Sequence, residues 1–259
     1  MNHWALGLSY DGAPFHGWQR QRDQRTVQGE LESALAQIAN ETVSVSAAGR
    51  TDAGVHATGQ VVGFVTRSER DIETWIRGLN GLTSDHLRVD WVQVVESRFH
   101  ARYSATARRY QYIFHDNGRF SDPLLHGRVW HCVSLDADAM HRASQTLLGE
   151  HDFSSFRASG CQSTTPNRRI KHCTVMRKGA FVVLEIEANA FLLHMVRNIA
   201  SALHDIGSGR APWSIAELLS AKDRTVLGIT APPDGLYLTR VSYADYCLPQ
   251  GLSPALLNA

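Results

Sequence analysis

Apolar residues recur along the chain with two periods, and the switches between them divide the sequence into elements. Leu6, Leu8 and Tyr10 alternate with Gly7 and Ser9 as in a strand, which the turn-forming run Asp11-Gly12-Ala13-Pro14 closes. Val27, Leu31, Ala34, Leu35 and Ile38 share one face of a helix, preceded by Thr26, whose hydroxyl suits an N-cap. Val43 and Val45 alternate with polar neighbours, and the run 61–65 predicts a further strand. Asp71 caps a second helix with Ile72, Trp75, Ile76 and Leu79 on its apolar face, and residues 87–95 alternate again. The order is strand, helix, strand, strand, helix, strand.

The second half repeats that order. Residues 107–115 read as a strand with Tyr110, Tyr112 and Phe114 on one face and Arg109 and Gln111 on the other. Asp136 opens a helix carrying Ala139, Met140, Ala143, Leu147 and Leu148. Residues 169–176 and 181–186 form a hairpin around Lys178-Gly179, followed by a helix over 191–206. A short helix over 214–221 comes after Pro212, and a strand over 236–241 closes the series. Each half has the split strand-helix-strand pattern of ferredoxin-like folds, which present an open sheet face to RNA. The expectation is an α+β protein of two ferredoxin-like (RRM-like) halves, with abutting, mainly antiparallel sheets flanked by helices and an active cleft between them. The halves are assigned to residues 1–104 and 105–247, with a tail over 248–259.

Composition narrows the function classes. With 43% hydrophobic and 20% charged residues the chain is an ordinary globular one, and no run approaches the roughly 18–20 apolar residues of a membrane span. The N-terminal Met1-Asn2-His3-Trp4 lacks the basic-then-apolar character of a signal peptide. Cys132, Cys161, Cys173 and Cys247 form no Cys-x-x-Cys pair, which argues against a zinc ribbon or dithiol site and for reduced thiols in a cytoplasmic protein. The formal net charge is only +1, but its distribution is uneven. Arg98, Arg102, Arg108, Arg109, Arg119 and Arg128 face only Asp116 and Asp122 in their stretch. Arg168, Arg169, Lys171, Arg177 and Lys178 face no acid, and Arg20, Arg22 and Arg25 form a third group. Arginine-rich strands and loops of this kind can track a phosphate backbone while acids elsewhere balance the total.

Three places carry candidate chemistry. Gly49-Arg50-Thr51-Asp52-Ala53-Gly54-Val55-His56-Ala57 sets a carboxylate between a cation and two glycines, just before an apolar strand. A carboxylate there can be acid, base, nucleophile or simply the cap of an Asx-turn. Arg108-Arg109-Tyr110 offers an aromatic ring beside cations, suited either to a core or to base stacking with phosphate contacts. In the helix over 191–206, Leu192, Val196, Ile199, Leu203 and Ile206 form the apolar stripe. Arg197 falls away from it with His194, Ser201 and His204, on a face that is either solvated or lines the cleft.

The nonapeptide 49–57 resembles the catalytic motif of the tRNA pseudouridine synthases of the TruA type. The resemblance extends to Tyr10-Asp11-Gly12 with Phe15-His16-Gly17-Trp18-Gln19, to residues 99–110, to Asn189-Ala190-Phe191-Leu192 through Met195-Val196-Arg197-Asn198, and to Thr230-Ala231-Pro232-Pro233. Gly228-Ile229-Thr230 departs slightly, where a proline is expected. The resemblance implies an isomerase that turns uridine into pseudouridine at positions 38, 39 and 40 of the tRNA anticodon arm. It implies that Asp52 is the nucleophile, Tyr110 the tyrosine packed against the target uracil and Arg197 the arginine that salt-bridges the aspartate. Arg50 matches the arginine that flips the uridine out, and Arg108, Arg109 and Leu192 join the substrate-binding set. It further implies a homodimer that clamps one tRNA, with neither metal nor cofactor. The competing reading is a non-catalytic tRNA- or RNA-binding protein with two RRM-like halves, which leaves Asp52 without a purpose.

Overall fold

Nine residues at the N-terminus, Asn2–Tyr10 (β1), form the central strand of the first sheet in a computed structural model that describes residues 1–116 and 122–257. One edge of β1 pairs antiparallel with His56–Thr66 (β3), Ala5 opposite Gly63. The other pairs antiparallel with Leu87–Val94 (β4), Ala5 opposite Gln93. The far edge of β3 is shared between two short partners. Val45–Ala47 (β2) lies antiparallel against residues 62–64, and Leu236–Tyr243 (β10) lies parallel against His56 and Ala57.

Two helices pack against this sheet. Val27–Ala39 (α1) starts where the Thr26 side chain accepts the Gly29 N–H, and Ile72–Leu82 (α2) where Asp71 accepts the Thr74 N–H. Trp75 and Leu79 of α2 are fully buried, with Trp75 edge-on to Phe64 at 5.3 Å and to Trp4 at 6.2 Å.

The chain divides into two compact units, Met1–Arg108 together with the chain from Tyr237 onward, and Arg109–Leu236. Element order places the last strand in the second half, whereas its pairing of Tyr237 with His56 ties it to the first unit. The strand Ala105–Asp116 (β5) enters the second unit at Arg109. There its partner is Phe181–Ala188 (β9), followed in the sheet by Asn167–Lys178 (β8) and Gly149–Asp152 (β7). Trp130–Cys132 (β6) runs parallel to β5, His115 opposite His131. The β8–β9 hairpin turns through Gly179-Ala180, one residue beyond the expected Lys178-Gly179 pair: Lys178 is still in the strand opposite Phe181, and Gly179 takes the positive φ, 57°, that the turn needs.

Ala137–Ser144 (α3) is capped by Asp136, and Ile215–Ala221 (α5) opens with a reciprocal box between Ser214 and Glu217. Met195–Gly207 (α4) begins four residues later than the helix over 191–206 that the sequence predicts. His194 has φ 59°, a left-handed conformation that cannot continue a helix backwards, so residues 192–195 form a turn closed by the Met195 N–H on the Leu192 carbonyl. Each unit is thus α+β, with a mostly antiparallel sheet flanked by helices.

Candidate active site

In the first unit the loop between β2 and β3 carries Arg50 and Asp52. It is held residue by residue. Ala48 donates its N–H to the Val61 carbonyl, and its own carbonyl accepts two N–H groups of the Arg108 guanidinium, at 3.1 and 2.9 Å. The Thr51 carbonyl accepts the Trp18 N–H, and the Asp52 carbonyl accepts the Val55 N–H to close a tight turn. Gly54 is the third residue of that turn and has φ 78°, a value natural to glycine alone. Gly17, at φ 84°, lets the segment after β1 lie directly on this loop: a Cβ there would stand 2.8 Å from the Thr51 oxygen and 3.1 Å from the Asp52 carbonyl carbon. With the backbone fixed on both sides, the Arg50 side chain is exposed and the Asp52 side chain half-buried.

Behind the loop sits a buried imidazole. The His56 ring stacks on Tyr237 at 4.6 Å, and its Nδ1 accepts the Gly12 N–H at 3.0 Å. This gives Tyr10-Asp11-Gly12 and Phe15 to Gln19 a physical role: they form the bed on which the Asp52 loop rests.

In the second unit the expected alternation of β5 holds. Arg109 and Gln111 face one way and converge on Glu185. The Arg109 Nε donates to Glu187 at 2.9 Å, its Nη1 donates to Glu185 at 3.0 Å, and the Gln111 amide donates to Glu185 at 2.8 Å. Tyr110, on the other face, is 8% exposed and stands edge-on to Phe191, ring centroids 5.2 Å apart at 88°. Leu192, next along the turn, is buried.

Arg197 lies in the first turn of α4 with its Nε donating to the Ala231 carbonyl at 2.8 Å. The face it shares with Ser201 and His204 is not solvated. Ser201 donates to the Ile229 carbonyl at 2.7 Å, and the His204 ring stacks on Trp130 at 4.2 Å. Asn198, fully buried, donates to the Phe156 carbonyl and accepts from Thr230 and Arg224. The Tyr112 hydroxyl donates to the Pro232 carbonyl at 2.8 Å, and burial keeps that hydroxyl protonated. The segment 229–232 is therefore a row of carbonyls that positions α4 and its arginine. Pro232, which has no N–H to satisfy, suits such a row.

The basic clusters separate into engaged and exposed cations. Arg108, Arg109, Arg168 and Arg177 are tied to carbonyls, hydroxyls or carboxylates of their own units. Arg50, Arg102 and Arg169 are exposed, and Arg119 lies outside the described residues. Among the described residues no three His, Cys, Asp or Glu side chains are grouped to hold a metal ion, and no helix is long and apolar enough to cross a membrane. Sequence reasoning did not single out Gln60, Thr51, His56 or Asn198. The legible signal for Gln60 was a polar side chain opening the apolar run 61–65.

Comparison with known proteins gives one consistent result. Residues 8–104 and 143–244 match a family model described as tRNA pseudouridine synthase. The chain is similar to the tRNA pseudouridine synthase A of Klebsiella pneumoniae (strain 342), with 53% identity over 247 residues, 95% of this chain and 92% of that one. The same identity and coverage are found over 249 residues with the enzymes of the same name from Shigella boydii serotype 4 (strain Sb227) and Escherichia coli (strain SMS-3-5 / SECEC).

Proposed function

The chain belongs to the tRNA pseudouridine synthase family, and from that premise we propose that it isomerises uridine to pseudouridine at positions 38, 39 and 40 of the anticodon arm with Asp52 as nucleophile. The observation that carries this reading is the Asp52 loop: a carboxylate on a backbone tethered at Ala48, Thr51 and the 52–55 turn, beside an exposed arginine. A loop tethered in this way places its side chain with little freedom, which is what attack on a single carbon demands.

The reaction breaks the N1–C1′ bond, turns the uracil and joins C5 to C1′, so no atom or electron enters or leaves. The base must first leave its stack, at a cost of a few kcal/mol. Arg50, exposed and two residues from Asp52, fills the vacated space and contacts phosphate. Asp52 acts on the ribose carbon or the base, and Arg197, a permanent cation held by the Ala231 carbonyl, belongs to the catalytic set. Tyr110 holds the detached ring, its edge-on contact with Phe191 fixing the plane of the phenol. Leu192 contributes an apolar wall that excludes water from the intermediate. Arg109 and Arg108 support the substrate-binding surface by holding β5 and the Asp52 loop.

Two wider expectations belong to the same proposal. We read each unit as a ferredoxin-like half; what supports the reading is that β1 lies between β4 and β3 with β2 on the far edge of β3, and that β9 lies between β5 and β8. The enzyme works in the cytoplasm as a homodimer on tRNA, a setting compatible with the four unbridged cysteines.

Pseudouridine mapping on an unmodified tRNA transcript tests the whole. Wild type converts uridines 38–40, Asp52→Asn binds the tRNA within a few-fold and converts none, and Tyr110→Phe loses turnover more than binding. Conversion by Asp52→Asn overturns the assignment of the nucleophile.

A further inference from the structure

One buried side chain fixes the Asp52 loop from beneath. Gln60 lies on β3, fully inaccessible to solvent, and an amide in that setting must satisfy its polar atoms within the protein. Its oxygen accepts the Val61 N–H at 3.2 Å and the Gly49 N–H at 3.4 Å. Its nitrogen donates to the Gly49 carbonyl at 2.6 Å and to the Tyr10 hydroxyl at 3.4 Å. A single amide thus holds both backbone groups of Gly49, as a paired strand would.

Tyr10 carries the constraint two residues further. Its hydroxyl stands 2.9 Å from Thr51 Oγ1, with both side chains buried. Burial raises the Tyr10 pKa to about 12, so the hydroxyl keeps its proton at neutral pH. Gly49 and Thr51 are the residues that flank Arg50, and Asp52 follows directly.

We propose that Gln60 and Tyr10 are positioning residues for the isomerisation, holding Gly49 and Thr51 so that the Asp52 carboxylate meets the uridine in attack geometry. The proposal rests on Asp52 being the nucleophile. Neither side chain is assigned contact with tRNA, so the effect of losing them falls on the chemical step and not on binding. A misplacement of about 1 Å costs on the order of 100-fold in rate, and a loosened loop is expected to lose about 10- to 100-fold.

The test is single-turnover conversion of tRNA transcript at saturating enzyme, beside tRNA affinity by filter binding. Gln60→Leu keeps the volume and removes the amide, and Tyr10→Phe removes one oxygen only. Both variants are expected to lose about 10- to 100-fold in the saturating rate constant with tRNA affinity within about threefold. The double variant is expected to be little slower than the slower single one, because both act through one network. A merely structural role lowers the active fraction and the melting temperature but leaves the saturating rate constant of the folded molecules unchanged, and that result overturns the proposal. Should Gln60→Leu fail to fold, Tyr10→Phe decides alone, and a rate within twofold of the parent sinks the idea. Asp52→Asn run in parallel separates the two readings. If it turns over, the nucleophile assignment falls; if it is dead while Tyr10→Phe is fully active, only the positioning role falls.

Discussion

Replacing Gly17 with alanine puts the bed of the Asp52 loop under direct load. At φ 84° an L-residue pays about 1–2 kcal/mol for its backbone conformation alone. The added Cβ would also stand 2.8 Å from the Thr51 oxygen, 3.0 Å from the Ala53 nitrogen and 3.1 Å from the Asp52 carbonyl carbon, all of them backbone atoms that cannot rotate aside. Overpacking of this kind adds about 1–3 kcal/mol. The combined loss of about 2–5 kcal/mol is a large part of a typical 5–15 kcal/mol stability and lowers the melting temperature by roughly 4–20 °C.

Two further glycines dissect the effect. Gly209 has φ 68° but open space around its Cβ position, so Gly209→Ala carries the conformational term alone. Gly81 lies inside α2 without a positive φ and with nothing near, so Gly81→Ala is expected to stabilise by about 0.5–1 kcal/mol. Thermal unfolding of the three variants, with single-turnover conversion of tRNA, reads both consequences. Gly17→Ala should be the least stable and the one that loses turnover, because its strain is delivered to Thr51 and Asp52. The reasoning is refuted if Gly17→Ala unfolds no earlier than Gly209→Ala, or if it converts tRNA at the parental rate.

Two solution experiments probe the rest of the fold. Burial pushes the pKa of His115 and of His204 down, with His131 reinforcing the effect at the first and Arg210 opposing Asp205 at the second. The unfolded chain therefore binds more protons near and below its own histidine pKa of about 6.5, and stability present at pH 7.5 is lost as the pH falls towards 5. Urea titrations should show that slope, flattened in His204→Asn; an unchanged slope in the variant excludes His204 as a source. Burial pushes the Cys132 and Cys173 thiols up to about 12. At Cys161 partial burial acts the same way, but the Leu193 and Ser163 N–H groups and Arg157 outweigh it and lower the pKa. Timed alkylation at pH 7.5 with peptide mass mapping should label Cys161 and the exposed Cys247 first, and equal labelling of Cys132 or Cys173 in the folded protein contradicts the burial argument.

Where a residue's partners lie within a few positions, the sequence alone determined the outcome. Thr26, Asp71 and Asp136 each cap the helix their position announces, because an N-cap bond spans only three residues. The strand alternation that sets Arg109 and Gln111 opposite Tyr110 is equally local, as is the positive φ at Gly54 and Gly179. The motif around Asp52 was legible as a candidate because its chemistry and its turn residues are contiguous.

The tertiary structure decided everything whose partner is remote. Arg108 reaches the Ala48 carbonyl 60 positions away and Arg109 reaches Glu187 78 positions away, so cations read as phosphate ligands also serve to brace their own units. Ser201 and His204 looked like a helix face open to solvent or a cleft, yet the chain at 229–231 and Trp130 cover it, at separations no periodicity encodes. Gln60 was a polar residue at the head of an apolar run until the fold brought Gly49 and Tyr10 against it. Local hydrogen bonds depend on spacing along the chain, whereas a buried polar atom takes whichever partner the chain reversals deliver, and only the folded backbone sets which one that is.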